Sequence, residues 1–313
     1  MRHVFSLSDA HVSGPSVVTI GKFDGVHRGH QSLIGQLTAH ARREDLIPVV
    51  LTFYPHPRMV LREYRRHYYI TLPAERARLL GELGVEVVIT HPFDERVRQI
   101  RASEFVVQLL AHAQMRSLWV GEDFALGYKR EGNVPYLRRM GQQHQFDVRV
   151  INLMDAGGEH VSSSRIRRAL QQGNIEEVNH LLGRQHQIEG VVVEGEKRGR
   201  TIGFPTANLA IDEDQAVPTR GVYAAWALFD DEVHPAVVNI GLRPTFGEGL
   251  AASVEAHLLG YSGDLYGKPM TLAFVKRLRD EMKFEGVDAL VAQIKADAAA
   301  GREILASVQP PKG

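Results

Sequence analysis

In the first half of the chain, short continuous apolar runs alternate with stretches of helical period. Residues 16–20, 48–53, 86–90, 117–120 and 147–151 are brief, rich in β-branched side chains and not regularly alternating with polar ones, the pattern of strands covered on both faces and hence of a parallel sheet. Between them Leu33, Ile34, Leu37 and Ala41 fall on one helical face, and residues 74–83, 102–112 and 136–143 carry similar helical patterns. Strand and helix in turn predict a doubly wound, Rossmann-like α/β domain. The texture changes after VSSSRIRRALQQGNIEEVNHLLG. From Ile188 the segments IEGVVVEG, GVYAAWALF, HPAVVNIG, SVEAHLLG and MTLAFVKRL follow one another across Gly, Pro and Asp turns, with no helix between them. They predict a small antiparallel sheet or β-barrel, followed by a helix over residues 287–308. The boundary is placed at Arg184, giving domains of residues 1–184 and 185–313.

The length of 313 residues agrees with two domains, and 44% hydrophobic with 24% charged residues is the composition of a globular protein. Lys plus Arg and Asp plus Glu balance at 37 each, so no overall field exists to hold a long polyanion, and nucleic acid is not expected as a partner. The absence of cysteine removes disulfides, thiolate catalysis and cysteine zinc sites. MRHVFSLSDAHVSG lacks a signal-type apolar core and no run of ~18 apolar residues occurs, so a cytoplasmic protein with no membrane partner is expected.

The stretch GKFDGVHRGH stands where the first strand hands over to a helix. Such a turn aims backbone N–H groups and the positive end of the helix dipole at one spot, which suits an anion. His27 and His30 are one helical turn apart, each able to donate to a phosphate oxygen, with Gly29 between them allowing close approach. Spacing alone leaves three readings open: two solvated surface residues among 15 histidines, a phosphate site, or part of a metal site. The chain has no GxxxxGK[ST] loop, which disfavours a P-loop kinase.

GKFDGVHRGH resembles the first signature of the nucleotidyltransferases with a His-x-Gly-His motif, in the form found in bacterial FAD synthetases, the bifunctional riboflavin kinase/FMN adenylyltransferases. LTFYPHPRMVL, VGEDFALGYKREG and VSSSRIRRAL resemble that family's next three blocks. GRTIGFPTANL, GVYAAW, NIGLRPTF, VEAHLL with GDLYG, and FVKRLRDEMKF resemble its kinase domain, in order and approximate spacing. For the first domain the resemblance implies ATP binding by Gly21, Phe23, Asp24, Gly25, His27, His30, Ser163, Ser164 and Arg167, with both histidines and Arg167 catalytic. It implies flavin binding there by Phe53, His56, Pro57 and Asp123. For the second domain it implies MgATP binding by Gly199, Gly203, Thr206 and Asn208, with Mg²⁺ on Thr206 and Asn208. Flavin binding there falls to Glu255 and Arg279, Glu255 being the base. The chain departs from the family with Ser164 for threonine, Ala125 and Leu126 after D-F, and Gly260 and Tyr261 in place of an Asp-Phe pair.

These residue types match two different chemical needs. A phosphate monoester has a second pKa near ~6, so FMN arrives as an ionised nucleophile and requires charge neutralisation rather than a base. An alcohol is a weak nucleophile, and a positioned carboxylate helps remove its proton. Alternation around Glu255 turns it and His257 to one face, and Gly195, Gly199 and Gly203 allow backbone to approach phosphate beside the oxygen donors Thr206 and Asn208. The expectation is two-step FAD synthesis from riboflavin through FMN, with ATP as co-substrate, Mg²⁺, no tightly bound redox cofactor, and a monomer or weak homo-oligomer. Two alternatives stand beside it: a riboflavin kinase with adenylyl transfer impaired by Ala125 and Leu126, and a flavin-binding regulatory protein.

Overall fold

The computed structural model describes residues 1–57, 59, 67–151, 161–195, 199, 202–244 and 250–311. Within the motif blocks Arg58, residues 60–61 and 196–198, Arg200, Thr201, Thr245 and Phe246 lie outside the described residues. The chain forms two compact units, one of Met1–Arg65 with Thr71–Ser162 and one of Arg66–Ile70 with Ser163–Gly313.

The first unit runs β1 (Arg2–Val4), β2 (Ser16–Ile20), α1 (Arg28–Arg43), β3 (Ile47–Tyr54), α2 (Pro73–Glu82), β4 (Val87–Pro92), α3 (Glu95–Gln99), α4 (Ala102–Ala113), β5 (Met115–Gly121), β6 (Ala125–Leu126), β7 (Gly132–Asn133), α5 (Val134–His144) and β8 (Asp147–Ile151). Six strands form a parallel sheet in the order β1-β4-β3-β2-β5-β8. Alternate residues of one strand feed two separate cores. Val49 and Leu51 pack with Phe105 and Leu109 of α4, whereas Val50 packs with Leu33 and Ile34 of α1 and Leu80 of α2. That two-sided burial is why the strands read as continuous apolar runs. From β2 the chain steps to β3 and β4 on one side, and β5 and β8 then fill the other. The strand order therefore reverses beside β2, where open α/β sheets bind ligands at their carboxyl ends.

The second unit contains α6 (Ser163–Gln172), α7 (Ile175–Leu182), β9 (His186–Val193), β10 (Ala207–Ile211), β11 (Gly221–Phe229), β12 (Glu232–Pro244), β13 (Leu250–Leu258), β14 (Pro269–Arg279) and α8 (Val287–Ala306). Its strands close into an antiparallel barrel in the order β10-β13-β12-β11-β14-β9. The sixth strand, β10, comes from the TANLAI stretch directly after Pro205. Leu305 of α8 packs on Ala224 and Val275, and a Cβ at Gly301 would lie 2.8 Å from Val237 Cγ2, so this helix approaches the barrel wall closely. The helices α6 and α7 group with the barrel because Thr219 N–H donates to Leu170 O (3.0 Å), Asn179 Nδ2 donates to Phe274 O (2.9 Å), and His186 N–H donates to Asn179 Oδ1 (2.8 Å). The spatial division thus falls at Ser162/Ser163, ahead of the two helices that a boundary at Arg184 leaves with the first domain.

His186 is 1% exposed, 3.2 Å from Ala216 O, and burial holds its imidazole down at about 4. The folded chain takes this side chain neutral, while an unfolded histidine titrates near ~6.5. Its contribution is therefore complete above pH ~6.5 and is lost as pH falls toward about 4, by roughly 3 kcal/mol in all. Thermal melts from pH 7 to pH 4 are expected to fall less steeply for His186→Gln than for the wild type.

Candidate active sites

Leaving β2, the chain turns through Phe23 (φ 46°), Gly25 (φ 87°) and Val26 (φ 39°), all left-handed, before α1 begins at Arg28. Phe23 is buried, and Gly21 must lack a side chain because a Cβ there would lie 2.9 Å from the Phe23 ring. His27 is the N-cap of α1, with Nδ1 accepting the His30 backbone N–H at 3.4 Å. That bond leaves the proton of a neutral His27 ring on Nε2. The two imidazoles are stacked, centroids 3.6 Å apart and planes 16° apart, with Phe23 edge-on to His30 at 5.1 Å. Nitrogen lone pairs lie in the ring plane, so stacked rings do not converge on one ion as metal ligands. They can present N–H groups side by side to a phosphate. Burial, followed by the nearby His27 and Arg76, lowers His30 well below the usual imidazole range, and its Nδ1 is buried with no hydrogen bond among the described residues.

Asp24, in the same turn, faces inward. It is 1% exposed, accepts from Thr71 N–H at 3.1 Å and lies 3.6 Å from the Arg76 guanidinium. Phe53, at the carboxyl end of β3, is part of an aromatic cluster with Phe93 (5.6 Å), His91 (6.2 Å) and Phe105 (6.4 Å). His56 is buried and Pro57 half-buried beyond the same strand end. Asp123 is exposed after β5, its carbonyl accepting from Arg130 at 2.7 Å. Ala125 and Leu126 form β6 and pair with Asn133 and Gly132 of β7, and Leu126 joins the same core as Ala102.

Ser163, Ser164 and Arg167 open α6, which belongs to the second unit. Ser164 is exposed and Ser163 half-buried. Arg167 lies 3.9 Å above the Tyr68 ring and donates from Nε to Tyr68 O at 2.8 Å, so stacking fixes the plane of its fork.

In the barrel, strand register assembles a row from five distant sequence blocks. Asn208 on β10 is opposite Glu255 on β13, Glu255 is opposite Asn239 on β12, Asn239 is opposite Val222 on β11, and Val222 is opposite Arg279 on β14. Cross-strand partners point to one side. Val222, Asn239, Glu255 and Arg279 accordingly line a cavity of about 370 Å³, walled on its other side by Leu290, Ile294 and Asp297 of α8. Ser253 Oγ donates to Glu255 at 3.2 Å, and His257, in the same cavity, is 2.9 Å from Pro205 O through Nδ1. Asp297 grips Arg279 in two-pronged fashion, Nη2 to Oδ2 at 2.7 Å and Nε to Oδ1 at 3.0 Å, while Gln293 holds Asp297 Oδ1 at 2.9 Å.

A second cavity of about 520 Å³ is lined by Pro205, Thr206, Tyr261, Asp264 and Leu265, and Thr206 borders both cavities. Tyr261 is braced edge-on by Phe229 (5.3 Å) and His234 (5.0 Å), and Asp264 accepts from Tyr266 N–H at 3.0 Å. Asn208 is 8% exposed, and a Cβ at Gly195 would sit 2.2 Å from its Nδ2. A Cβ at Gly199 would collide with Phe204 O at 2.3 Å and approach Thr206 Oγ1 to 3.6 Å. Gly203 has φ 85° and open space around it. The glycines thus clear a cradle beside two neutral oxygen donors, a set that fits Mg²⁺ with phosphate and water completing its shell. Among the described residues no group of three His, Asp or Glu is placed to hold a metal ion.

Sequence reasoning passed over Asn239, Asp297 and Arg76. Asn239 lay inside an apolar strand and Asp297 inside an alanine-rich helix. Arg76, fully buried, cannot be told by pattern from its exposed neighbour Arg78.

A family model described as FAD synthetase matches residues 9–165, and one described as riboflavin kinase matches residues 182–305. The chain is 38% identical to the bifunctional riboflavin kinase/FMN adenylyltransferase of Escherichia coli K12 over 99% of both chains. It is 35% identical to that of Listeria monocytogenes (94% of this chain, 93% of the relative) and 36% identical to that of Bacillus subtilis (90% of each). A solved structure described as a macrolide-efflux protein from Streptococcus pneumoniae is 33% identical, with a TM-score of 0.86 over 96% of this chain and 98% of that one. No helix among the described residues is long and apolar enough to cross a membrane. Two matched domains, together with relatives aligned over nearly their whole length, show that the chain belongs to the bifunctional riboflavin kinase/FMN adenylyltransferase family, the bacterial FAD synthetases.

Proposed function

We propose that this protein makes FAD in two ATP-dependent steps in the cytoplasm, riboflavin phosphorylation on the barrel and FMN adenylylation in residues 1–184, as a monomer or weak homo-oligomer. The observation that carries the reading is the row Asn208–Glu255–Asn239–Val222–Arg279, which sets the Glu255 carboxylate on the wall of a cavity that combines apolar side chains with Glu281 and the Arg279-bound Asp297. Val222, Val237, Met282 and Phe284 suit a flat aromatic ring system, and Thr206, bordering both cavities, suits a phosphate passing between nucleotide and alcohol. Glu255 takes the proton of the terminal ribityl hydroxyl as that oxygen bonds to the γ-phosphorus. The bond from the γ-phosphorus to its bridging oxygen breaks, and ADP leaves. Thr206 and Asn208 would hold Mg²⁺, which would supply charge neutralisation on the phosphates.

At the β2–α1 turn the nucleophile is a phosphate oxygen of FMN. It bonds to the α-phosphorus of ATP, and pyrophosphate departs with the electrons of the broken bond. His27 and His30 donate to the phosphates, joined by Ser163, Ser164 and Arg167, and Phe53, His56, Pro57 and Asp123 hold flavin. Leu126 is a core residue in its hairpin, which favours an intact loop and with it both activities.

His30→Ala is expected to lower FAD formation about 100-fold or more while riboflavin phosphorylation stays normal. Glu255→Gln should lower FMN formation by a similar factor and leave adenylylation of supplied FMN intact. Chromatography of both products separates these outcomes, and loss of both activities in either variant would overturn the assignment of separate sites. Asp297→Asn frees Arg279 from its charged clamp. The KM for riboflavin should rise several-fold, roughly the loss of ~1 kcal/mol of binding, with a smaller change in kcat.

A further inference from the structure

The left-handed turn at Phe23, Gly25 and Val26 is costly. A non-glycine residue at positive φ is strained by roughly 1–3 kcal/mol, and a β-branched one such as Val26 is a clear outlier. Such a conformation persists only where its surroundings over-determine it. The surroundings here are three side chains from outside α1.

Thr71 Oγ1 accepts the Gly25 backbone N–H at 2.9 Å, while Thr71 N–H donates to Asp24 Oδ1 at 3.1 Å, so this one residue holds both the Gly25 backbone and the Asp24 carboxylate. Arg76, 1% exposed on α2, donates from Nη2 to Thr71 O at 2.8 Å and from Nη1 to Thr52 Oγ1 at 3.3 Å, and its charge faces Asp24 at 3.6 Å. Thr52 Oγ1 donates in turn to Lys22 O at 3.0 Å, reaching the turn from β3. The turn is therefore tied at residues 22, 24 and 25, directly ahead of the histidine N-cap.

We propose that Thr71, Arg76 and Asp24 form a positioning bracket for adenylyl transfer, which stays out of reach of substrate and sets the rate by holding the strained turn so that His27 and His30 face one phosphate. The proposal rests on the reading of this turn as the adenylyl-transfer site. A merely structural bracket would affect stability alone; a positioning bracket affects turnover, because misplacement by ~1 Å can cost about 100-fold in rate. The Arg76 charge also adds to the forces that keep His30 neutral, so the bracket bears on the histidines electrically as well as sterically.

Thr71→Val keeps size and removes the hydroxyl that accepts from Gly25, whereas Thr71→Ser keeps the hydroxyl. The full chain of each is assayed with FMN, ATP and Mg²⁺, well below its melting temperature, with riboflavin phosphorylation in the same preparation as the internal control. Thr71→Val is expected to lower kcat for FAD formation about 10-fold to 100-fold, with a smaller change in KM for ATP, and Thr71→Ser to restore most of it. Arg76→Lys should fall between wild type and Arg76→Met. A Thr71→Val protein that melts lower yet adenylylates FMN at the wild-type kcat overturns the bracket, and so does a loss shared equally by the kinase reaction. A wild type that phosphorylates riboflavin but does not adenylylate FMN overturns the reading of the site instead.

Discussion

Strand register decides what the barrel offers to a substrate. Glu255 faces α8 because β13 pairs with β12 and β10 so that Asn239 and Asn208 stand opposite it. A slip of one residue would replace it with Val254 or Ala256 and turn its carboxylate to the opposite face. That slip is opposed by packing rather than by polar contacts. Val254, Ala256 and Leu258 are buried on the other face of β13, and a shifted strand would bring all three out of it. Apolar burial on one face thereby fixes chemistry on the other, and Asp297 completes the row by holding Arg279 at its far end.

The first unit solves positioning differently. Its central strands, β2 and β3, are parallel and covered on both faces, so they leave no strand face for catalysis, and function moves to the loops at the carboxyl ends. The loop after β2 occupies the point where strand order reverses, and it obtains rigidity from strained backbone held by buried partners instead of from a ladder. The strain in Phe23 and Val26 and the hydrogen bonds from Thr71 are of the same order, a few kcal/mol. Removing one hydroxyl is therefore enough to matter.

The strands of the parallel sheet were legible because burial on both faces leaves an unbroken β-branched run, and most predicted ends agree with the observed ones within two residues. β1 and α3 were passed over because three or five residues carry no usable period. β10 was hidden by the Pro205 turn that precedes it, although without it the barrel would not close. The candidate site residues were legible through family resemblance far more than through spacing: a glutamate on a strand has no signature of its own. What stayed invisible was everything set by tertiary neighbours. The stacking of His27 on His30, the burial of Arg76 as against Arg78, and the facing of Asn239 and Glu255 each need the fold.

The two sites also differ in where they put negative charge. An alcohol gains from a carboxylate beside it, and Glu255 lines the cavity proposed for riboflavin. FMN reaches the other site already charged, and a carboxylate facing it would raise the barrier by like-charge repulsion. Asp24 stands within the turn that should receive those phosphates, two residues from Val26 and three from His27. The fold directs it inward, to Thr71 N–H and Arg76, at 1% exposure. The acid thus braces the turn from within. In the proposed bracket, Asp24 serves adenylyl transfer through Thr71 and Arg76.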